Sequence, residues 1–372
     1  MIERAVARID VGAVERNCAH LRAQLKGDTK LCAVVKANAY GHGDTWCAKA
    51  ALAGGAEWLA VAAASEALEL RRHAIDAPIL VMGALTLEEA RIALEAPADV
   101  VAWDAGFADA LTRTADAEGV TGRVHVKLDS GMGRLGTRDP DEALAVAATI
   151  AAAEHLELVG LMTHFATADE RGDDYFGEQL ALFTDFAKTF RDQYPDVVVH
   201  AANSPATFRD ANAHFDMVRC GVAIYGLDPF QEDPFARGLE PALSLHSWVA
   251  AVRRFEPGQS AGYGRTWQAP EATHVGTIPV GYGDGWRRAL SNNADVLIGG
   301  RRYPLVGTVS MDNVTVDLGP DTDVRPGEPA VLIGPQGDEC ITTEEVAKHM
   351  DTINYDITCG ISPRVRRNWS SA

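Results

Sequence analysis

The chain has 372 residues, 47% hydrophobic and 23% charged, the ordinary mix of a globular protein with room for two domains. Its 34 Lys and Arg against 52 Asp and Glu give a formal charge of −18, which argues against a nucleic-acid binder, because neutralising phosphates needs a basic footprint. No segment has the apolar length of a signal peptide or membrane span, and the six cysteines are scattered without a Cys-x-x-Cys, so free thiols in the cytoplasm are expected and a metal site is not.

In chain order, eight short aliphatic or β-branched runs recur: Leu31–Val35, Trp58–Val61, Ile79–Met82, Val100–Trp103, Val124–Leu128, Leu158–Met162, Val197–His200 and Met217–Cys220. Between them lie stretches with helical periodicity, Thr45–Ala53, Ser65–His73, Leu87–Glu95, Pro140–Ala153 and Tyr175–Tyr194. In the last of these, Phe176, Leu180, Phe183, Phe186, Ala187 and Phe190 recur at helical spacing. Strands alternating with helices predict parallel pairing, and eight such units over roughly 200 residues predict an α/β fold, a (β/α)8 TIM-like barrel, with a doubly wound open sheet as the competing architecture. The rhythm changes near residue 235, where Pro229, Pro234, Gly238 and Pro241 mark a linker. Short strands follow at Ser244–Val252, Thr273–Val280, Asp295–Ile298, Tyr303–Val309, Val314–Leu318 and Pro329–Ile333, with turn signals at Gly299-Gly300 and Pro326-Gly327 and one helix at Thr343–His349. The expected division is a barrel over 10–234 and a mostly antiparallel β domain over 235–372, to which a strand within residues 1–9 is free to pair.

A barrel binds its ligand where its strands end. Lys36 follows the first run, Lys127 and Asp129 close the fifth with Arg134 behind them, and His164 lies beyond the sixth. Asn203 and Ser204 follow the seventh, and Arg219, Gly221 and Val222 close the eighth. The last two loops commonly cradle a phosphate, for which Ser204 offers a hydroxyl and Gly221 and Val222 backbone amides. Lys36 continues an apolar strand. Burial there lowers an amine's pKa and suits it to Schiff-base chemistry, whereas at an exposed strand end it is an ordinary snorkelling lysine. The tight polar loop Tyr40-Gly41-His42-Gly43 that follows favours the first reading. A Schiff-base lysine beside a phosphate cradle points to pyridoxal 5′-phosphate. Gly131–Gly136 spells G-x-G-x-x-G, but it does not open the chain's first βα unit, and no acidic residue closes a second strand about 20 residues later, as a dinucleotide site requires.

The segment Val34–Gly43 closely resembles the cofactor-attachment signature of alanine racemases. Lys127–Gly136, Arg219–Val222, Ala261–Gly264, Gly281–Gly285, Val309–Asn313 and Asn354–Ile357 resemble further family motifs, in order and across essentially the whole chain. The sequence departs from the family pattern at Thr137, Gly283, Trp286 and Arg366, where an aromatic, alanine, tyrosine and proline are frequent. Of these, Trp286 bears on the route by which substrate enters.

The resemblance implies an isomerase that interconverts L- and D-alanine through a pyridoxal-phosphate aldimine, a cytoplasmic homodimer with shared active sites that supplies D-alanine for cell-wall synthesis or takes part in its catabolism. It implies that Lys36 forms the aldimine and exchanges a proton on one face of the substrate, the D-alanine side, while Tyr263 of the neighbouring subunit serves the L-alanine side. A phenol ordinarily titrates near pH 10, so that role needs positive charge or hydrogen bonds nearby. By the same resemblance Tyr40, Ser204, Gly221, Val222 and Tyr355 hold the phosphate. Arg219 faces the pyridine nitrogen with His164 beside it. Arg134 contacts the cofactor and the substrate carboxylate, which Met311 and Asp312 also approach. Lys127 corresponds to a residue often carbamylated, and Tyr282 lies on the entry route.

Competing readings are a serine or broader amino-acid racemase, a barrel decarboxylase, a non-catalytic pyridoxal-phosphate carrier, and a metabolic barrel with a structural lysine. Arg219 in place of an acidic group at the pyridine nitrogen argues against the decarboxylase. The second domain argues against the carrier.

Overall fold

The computed structural model describes residues 4–371; residues 1–3 of the N-terminal pairing segment and Ala372 lie outside them. Two compact units divide the described chain. Val14–Ala39 with Asp44–Ile224 form one, and the remaining described residues form the other.

After β1 (Val6–Asp10), eight strands close into a parallel barrel: β2 (Lys30–Val34), β3 (Trp58–Val61), β4 (Ile79–Val81), β5 (Asp99–Ala102), β6 (Gly122–Lys127), β7 (Leu156–Met162), β8 (Val198–His200) and β9 (Met217–Cys220). β9 pairs back onto β2, with Lys30 opposite Met217, so closure excludes the open sheet. Each strand falls on one of the aliphatic runs. Helices cover the outer face and side chains fill the inner one, so both faces are dry and the runs are nearly continuous rather than alternating. β3, β4, β5 and β9 are buried at every residue. The helix Tyr175–Gln193 turns Phe176, Leu180, Phe183, Phe186, Ala187 and Phe190 inward along one stripe. Helix starts carry their own stops: Thr86 accepts from Glu89 N–H while Glu89 reaches back to Thr86, and Asp104 accepts from Phe107 N–H.

The second unit is built on a sheet in the order β16-β15-β18-β10-β1-β20, with β19 on β18, and a three-stranded sheet β11-β14-β17. Its strands are β10 (Leu243–Trp248), β11 (Ala251–Phe255), β12 (Ser260–Ala261), β13 (Trp267–Gln268), β14 (Thr273–Ile278), β15 (Asp295–Ile298), β16 (Arg301–Pro304), β17 (Val314–Gly319), β18 (Pro329–Gln336), β19 (Glu339–Ile341) and β20 (Arg366–Ser370). β1 lies antiparallel to β10 and parallel to β20, which is where the N-terminal strand pairs.

Three expected strands of the second unit are shorter than the sequence pattern: β14 ends at Ile278 rather than Val280, and two others break off further in. Ser244–Val252 is not one strand: Val249 N–H donates to Glu328 and Ala250 N–H to Thr277, so the chain leaves one sheet and joins the other between Trp248 and Ala251. Tyr303–Val309 leaves its sheet after Pro304: Leu305 N–H still donates to the Ala294 carbonyl at 2.7 Å, but Val306 N–H turns to the Thr315 carbonyl at 2.8 Å. Beyond it Gly307 takes a φ of +80°, and a Cβ there would stand 2.6 Å from the Ala261 carbonyl oxygen. β20 escaped notice because Arg366-Arg367-Asn368-Trp369-Ser370 is a polar edge strand with little alternation. Trp286, expected to bear on substrate entry, is instead buried in the unit's core with Leu290, Val309 and Ile361.

Candidate active site

β2 delivers Lys36 two residues beyond its end, half-buried. The next four residues, Ala37, Asn38, Ala39 and Tyr40, all have φ of 53–54°. A left-handed turn of non-glycine residues costs about 1–2 kcal/mol per residue, so something must hold it. Ala37 N–H donates to Glu66 Oε1 at 2.6 Å, and the other oxygen of Glu66 takes the amides of Ala62 and Ala63. Asn38 Oδ1 accepts from Asp44 N–H at 3.1 Å. The turn thus fixes the backbone immediately after the amine.

Lys127 ends β6 and is 4% exposed. Burial, with the guanidinium groups of Arg219 and Arg134 nearby, pushes its pKa down to about 8. Lys36 adds to the same field. Arg134 is exposed, and among the described residues its guanidinium makes no hydrogen bond or ion pair. The glycine-rich loop around it is tied to the protein itself: Asp129 accepts from the amides of Gly131 and Gly133 and from Arg138 Nε. Those amides are therefore spent on a carboxylate of their own chain.

Arg219 on β9 is 2% exposed. Its Nη2 donates to the carbonyls of Thr163 and Ala201 at 2.8 and 2.9 Å and lies 3.3 Å from His164 Nδ1. Its Nη1 donates to His200 Nδ1 at 2.8 Å. Burial pushes the Arg219 pKa down to about 10, which still leaves it a cation at neutral pH. Burial and the charge of Arg219 hold His164 well below its ordinary range, so His164 is neutral beside the guanidinium. Ser204 opens the helix Ser204–Arg209, and its Oγ accepts from Gly221 N–H at 3.0 Å and lies 3.4 Å from Ala223 N. The Gly221 amide is thus engaged by Ser204, while the Val222 amide has no protein acceptor among the described residues.

The structure brings Lys36, Lys127, Arg134, His164 and Arg219 within reach of one another's charge, and joins Ser204 to Gly221. The result is a cationic basin at the strand ends, rich in donors and short of anions. That donor set fits a ligand carrying phosphate and carboxylate groups with a carbonyl that an amine can attack.

The other predicted residues belong to the β-sheet unit. Tyr40 is buried there, its ring 5.9 Å from that of Tyr355 and 5.2 Å from that of Tyr225. Gly41 lies at φ +85°, where a Cβ would stand 2.3 Å from the Thr358 carbonyl oxygen. Tyr263 is 71% exposed, in a loop whose backbone is pinned by Thr308 Oγ1 donating to the Tyr263 carbonyl at 2.8 Å. Tyr282 and Gly283 donate their amides to the carbonyls of Ser310 and Met311, both at 3.0 Å, which couples the Tyr282 loop to the Met311 loop. Met311 is exposed, and Asp312 accepts from Arg364 Nη2 at 2.6 Å.

The family model described as alanine racemase, N-terminal domain, matches residues 9–229, and that of the alanine racemase C-terminal domain matches 242–369. The chain belongs to the alanine racemase family. The alanine racemase of Symbiobacterium thermophilum is 43% identical to it over 97% of this chain and 96% of that protein. That of Geobacillus stearothermophilus is 41% identical over 97% of this chain and 92% of that protein. Among solved structures, the alanine racemase of Streptomyces lavendulae superposes with a TM-score of 0.95 at 37% identity, covering 100% of this chain and 98% of that one. The Bacillus anthracis enzyme with bound L-Ala-P gives 0.91 at 38% identity, covering 100% and 96%. Family membership makes the chain an amino-acid racemase, an isomerase, and no described helix is long and apolar enough to cross a membrane.

Several residues around these alanine racemase motifs escaped the sequence reading. Glu66, which anchors the turn after Lys36, sits in an ordinary amphipathic helix and carries no signal. Gln179, 1% exposed and donating to Ser130 Oγ at 3.3 Å, sits one position before Leu180 of the aromatic helix stripe. His200 did carry a signal, being the polar end of an otherwise apolar strand run.

Proposed function

We propose that this chain interconverts L- and D-alanine with pyridoxal 5′-phosphate held at Lys36, each site being completed by the partner subunit's Tyr263. The observation that carries the reading is Lys36 just past the end of a barrel strand, its charge acting on Lys127 together with those of Arg134 and Arg219. Pyridoxal 5′-phosphate supplies an electron sink that acidifies the α-proton of a bound amino acid.

The protein does the rest. The Ser204 hydroxyl, oriented by the Gly221 amide, and the Val222 amide hold phosphate, helped by Tyr40 and Tyr355. Arg219, a cation that only donates, gives a hydrogen bond to the pyridine nitrogen without surrendering a proton, which tempers the sink and suppresses side reactions. His164 stays neutral and keeps Arg219 in place. Arg134 is left open for the substrate carboxylate, and the partner's Met311 and the partner's Asp312 close over it, with Tyr282 on the entry route.

Inversion requires a proton to leave one face of the α-carbon and another to arrive on the opposite face. A single base fixed on a rigid strand end cannot reach both. Lys36 Nζ takes the α-proton of D-alanine, and the phenol oxygen of the partner's Tyr263 takes that of L-alanine. The exposure of Tyr263 and Met311, two large side chains turned to solvent on one protomer, supports a homodimer in which they enter a neighbour's site. A small pocket discriminates weakly against one extra hydroxyl, so serine is the second substrate to test. The free state of all six cysteines suits a cytoplasmic enzyme.

Borohydride treatment of the protein as purified, followed by peptide mapping, is expected to fix the cofactor on Lys36. Label on any other residue, or none, defeats the assignment.

Lys127 carries a further proposal, that its amine is carbamylated. The neutral amine attacks carbon dioxide, forming an N–C bond and releasing a proton, and the buried cation becomes an anion beside Arg134 and Arg219. With a pKa of about 8, only the minority of Lys127 is neutral at pH 7, and that fraction rises as pH passes through 8. The carbamate is therefore favoured above about pH 8 and lost toward acid. Enzyme depleted of bicarbonate at pH 7 is expected to lose activity and to regain it with ¹³C-bicarbonate, together with a carbamate carbon resonance absent from Lys127→Ala. Activity indifferent to bicarbonate, with no such resonance, contradicts it.

A further inference from the structure

The barrel interior holds a polar chain that the proposed chemistry does not use. Arg219 Nη1 donates to His200 Nδ1 at 2.8 Å. The proton of His200 must then sit on Nε2, which faces His125 Nδ1 at 2.9 Å. His125 Nε2 in turn stands 3.2 Å from Asp99 Oδ2. A guanidinium only donates and a carboxylate only accepts, so the two ends fix the direction of everything between them. Both imidazoles are neutral, both carry their proton on Nε2, and every hydrogen bond points from Arg219 toward Asp99.

The barrel is shaped around this chain. Asp99, His125, His200 and Arg219 are 2%, 0%, 0% and 2% exposed. Barrel centres are ordinarily filled by layers of aliphatic side chains, and burying polar groups is costly unless each finds its partner. Gly160 on β7 makes the room: a Cβ there would stand 1.9 Å from His125 Nδ1, and its φ lies outside the left-handed region, so the glycine serves space rather than backbone freedom. The β6–β7 register shifts at the same place, between Val124 and His125. Asp99 is held from outside by Arg123 Nε at 2.9 Å, and the Trp58 ring stands edge-on to His125 at 5.9 Å.

At the functional end, the chain decides what Arg219 has left to give. The two N–H groups of Nη2 are taken by Thr163 and Ala201, with His164 alongside, and one of Nη1 by His200. The Nε–H and the second Nη1–H remain. We propose that Asp99 and His125 are positioning residues for Arg219, the one-way chain through His200 fixing which guanidinium N–H groups meet the pyridine nitrogen of the cofactor. This rests on the cofactor reading above.

Two readouts on the full-length protein as purified test it. Side-chain ¹⁵N–¹H spectra at neutral pH are expected to show His125 and His200 each with its proton on Nε2. His125→Gln can still accept from His200 and donate to Asp99; His125→Leu, of similar volume, can do neither. The leucine variant is expected to broaden the Arg219 side-chain N–H signals and to lower kcat about tenfold with KM within about twofold, the cost of a slightly misplaced group. The glutamine variant is expected to keep sharp Arg219 signals and kcat within about twofold of the parent. A proton on Nδ1 of either histidine in the unaltered protein overturns the proposal, as do leucine and glutamine variants that behave alike. If His125→Leu does not fold, the tautomers of the unaltered protein decide. Should the chain fail to racemise alanine, the functional reading falls, while the tautomers and the Arg219 signals still judge the chain of hydrogen bonds separately.

Discussion

Two inactive variants, Lys36→Ala and Tyr263→Phe, are expected to regain racemisation when their subunits are mixed. Each alone is expected to lose about 10²–10⁴ in kcat, the usual contribution of a positioned proton-transfer group. In a shared-site dimer, a heterodimer of the two has one site lacking both bases and one site with both intact. Free exchange of subunits makes half the dimers heterodimers, so about a quarter of the original activity returns. The arrangement that makes this possible is the exposure of Tyr263 on its own protomer, with its loop backbone pinned by Thr308 while the phenol is left in solvent. Verified heterodimers without activity would place both bases in one chain, or remove one of them from the reaction.

Tyr263→Phe is also expected to separate the two faces of the substrate. The variant keeps the ring and its packing and loses only the hydroxyl. In D2O, D-alanine still exchanges its α-proton through Lys36, while L-alanine does not, and inversion in either direction falls with the lost phenol. Substrate binding is expected to change little, because the proposed contacts to the carboxylate and the cofactor do not include the Tyr263 hydroxyl. Equal loss of exchange from both enantiomers would assign Tyr263 a structural task, and unchanged inversion would dismiss it as a base.

The barrel was legible because its strands are buried on both faces. A parallel strand with no wet side leaves an unbroken aliphatic run, and each of the eight runs became a strand. The second unit was less legible for the opposite reason. Its strands hand over between sheets, as at Val249 and Ala250, and its edge strand Arg366–Ser370 is polar, so local alternation does not mark its ends. In the site, residues at strand ends could be placed by counting: Lys36, Lys127, Ser204 and Arg219 stand where their runs stop. The supports could not. Glu66 is bound to Ala37 by a contact 29 residues distant in sequence, and the Asp99–His125–His200 chain links three strands. Single-sequence periodicity carries no term for such cross-strand partners. Gly160 shows the same limit, since nothing in its own strand indicates that an imidazole from β6 needs its missing side chain.

The most direct measurement follows the α-hydrogen during the first turnover of L-alanine in D2O. With an amine on one face and a phenol on the other, the proton taken from L-alanine is not the one returned. The first D-alanine formed is expected to carry deuterium at Cα while unreacted L-alanine remains largely protiated. D-alanine that retains the original proton would mean a single base swinging between faces, and would contradict opposed roles for Lys36 and the partner's Tyr263.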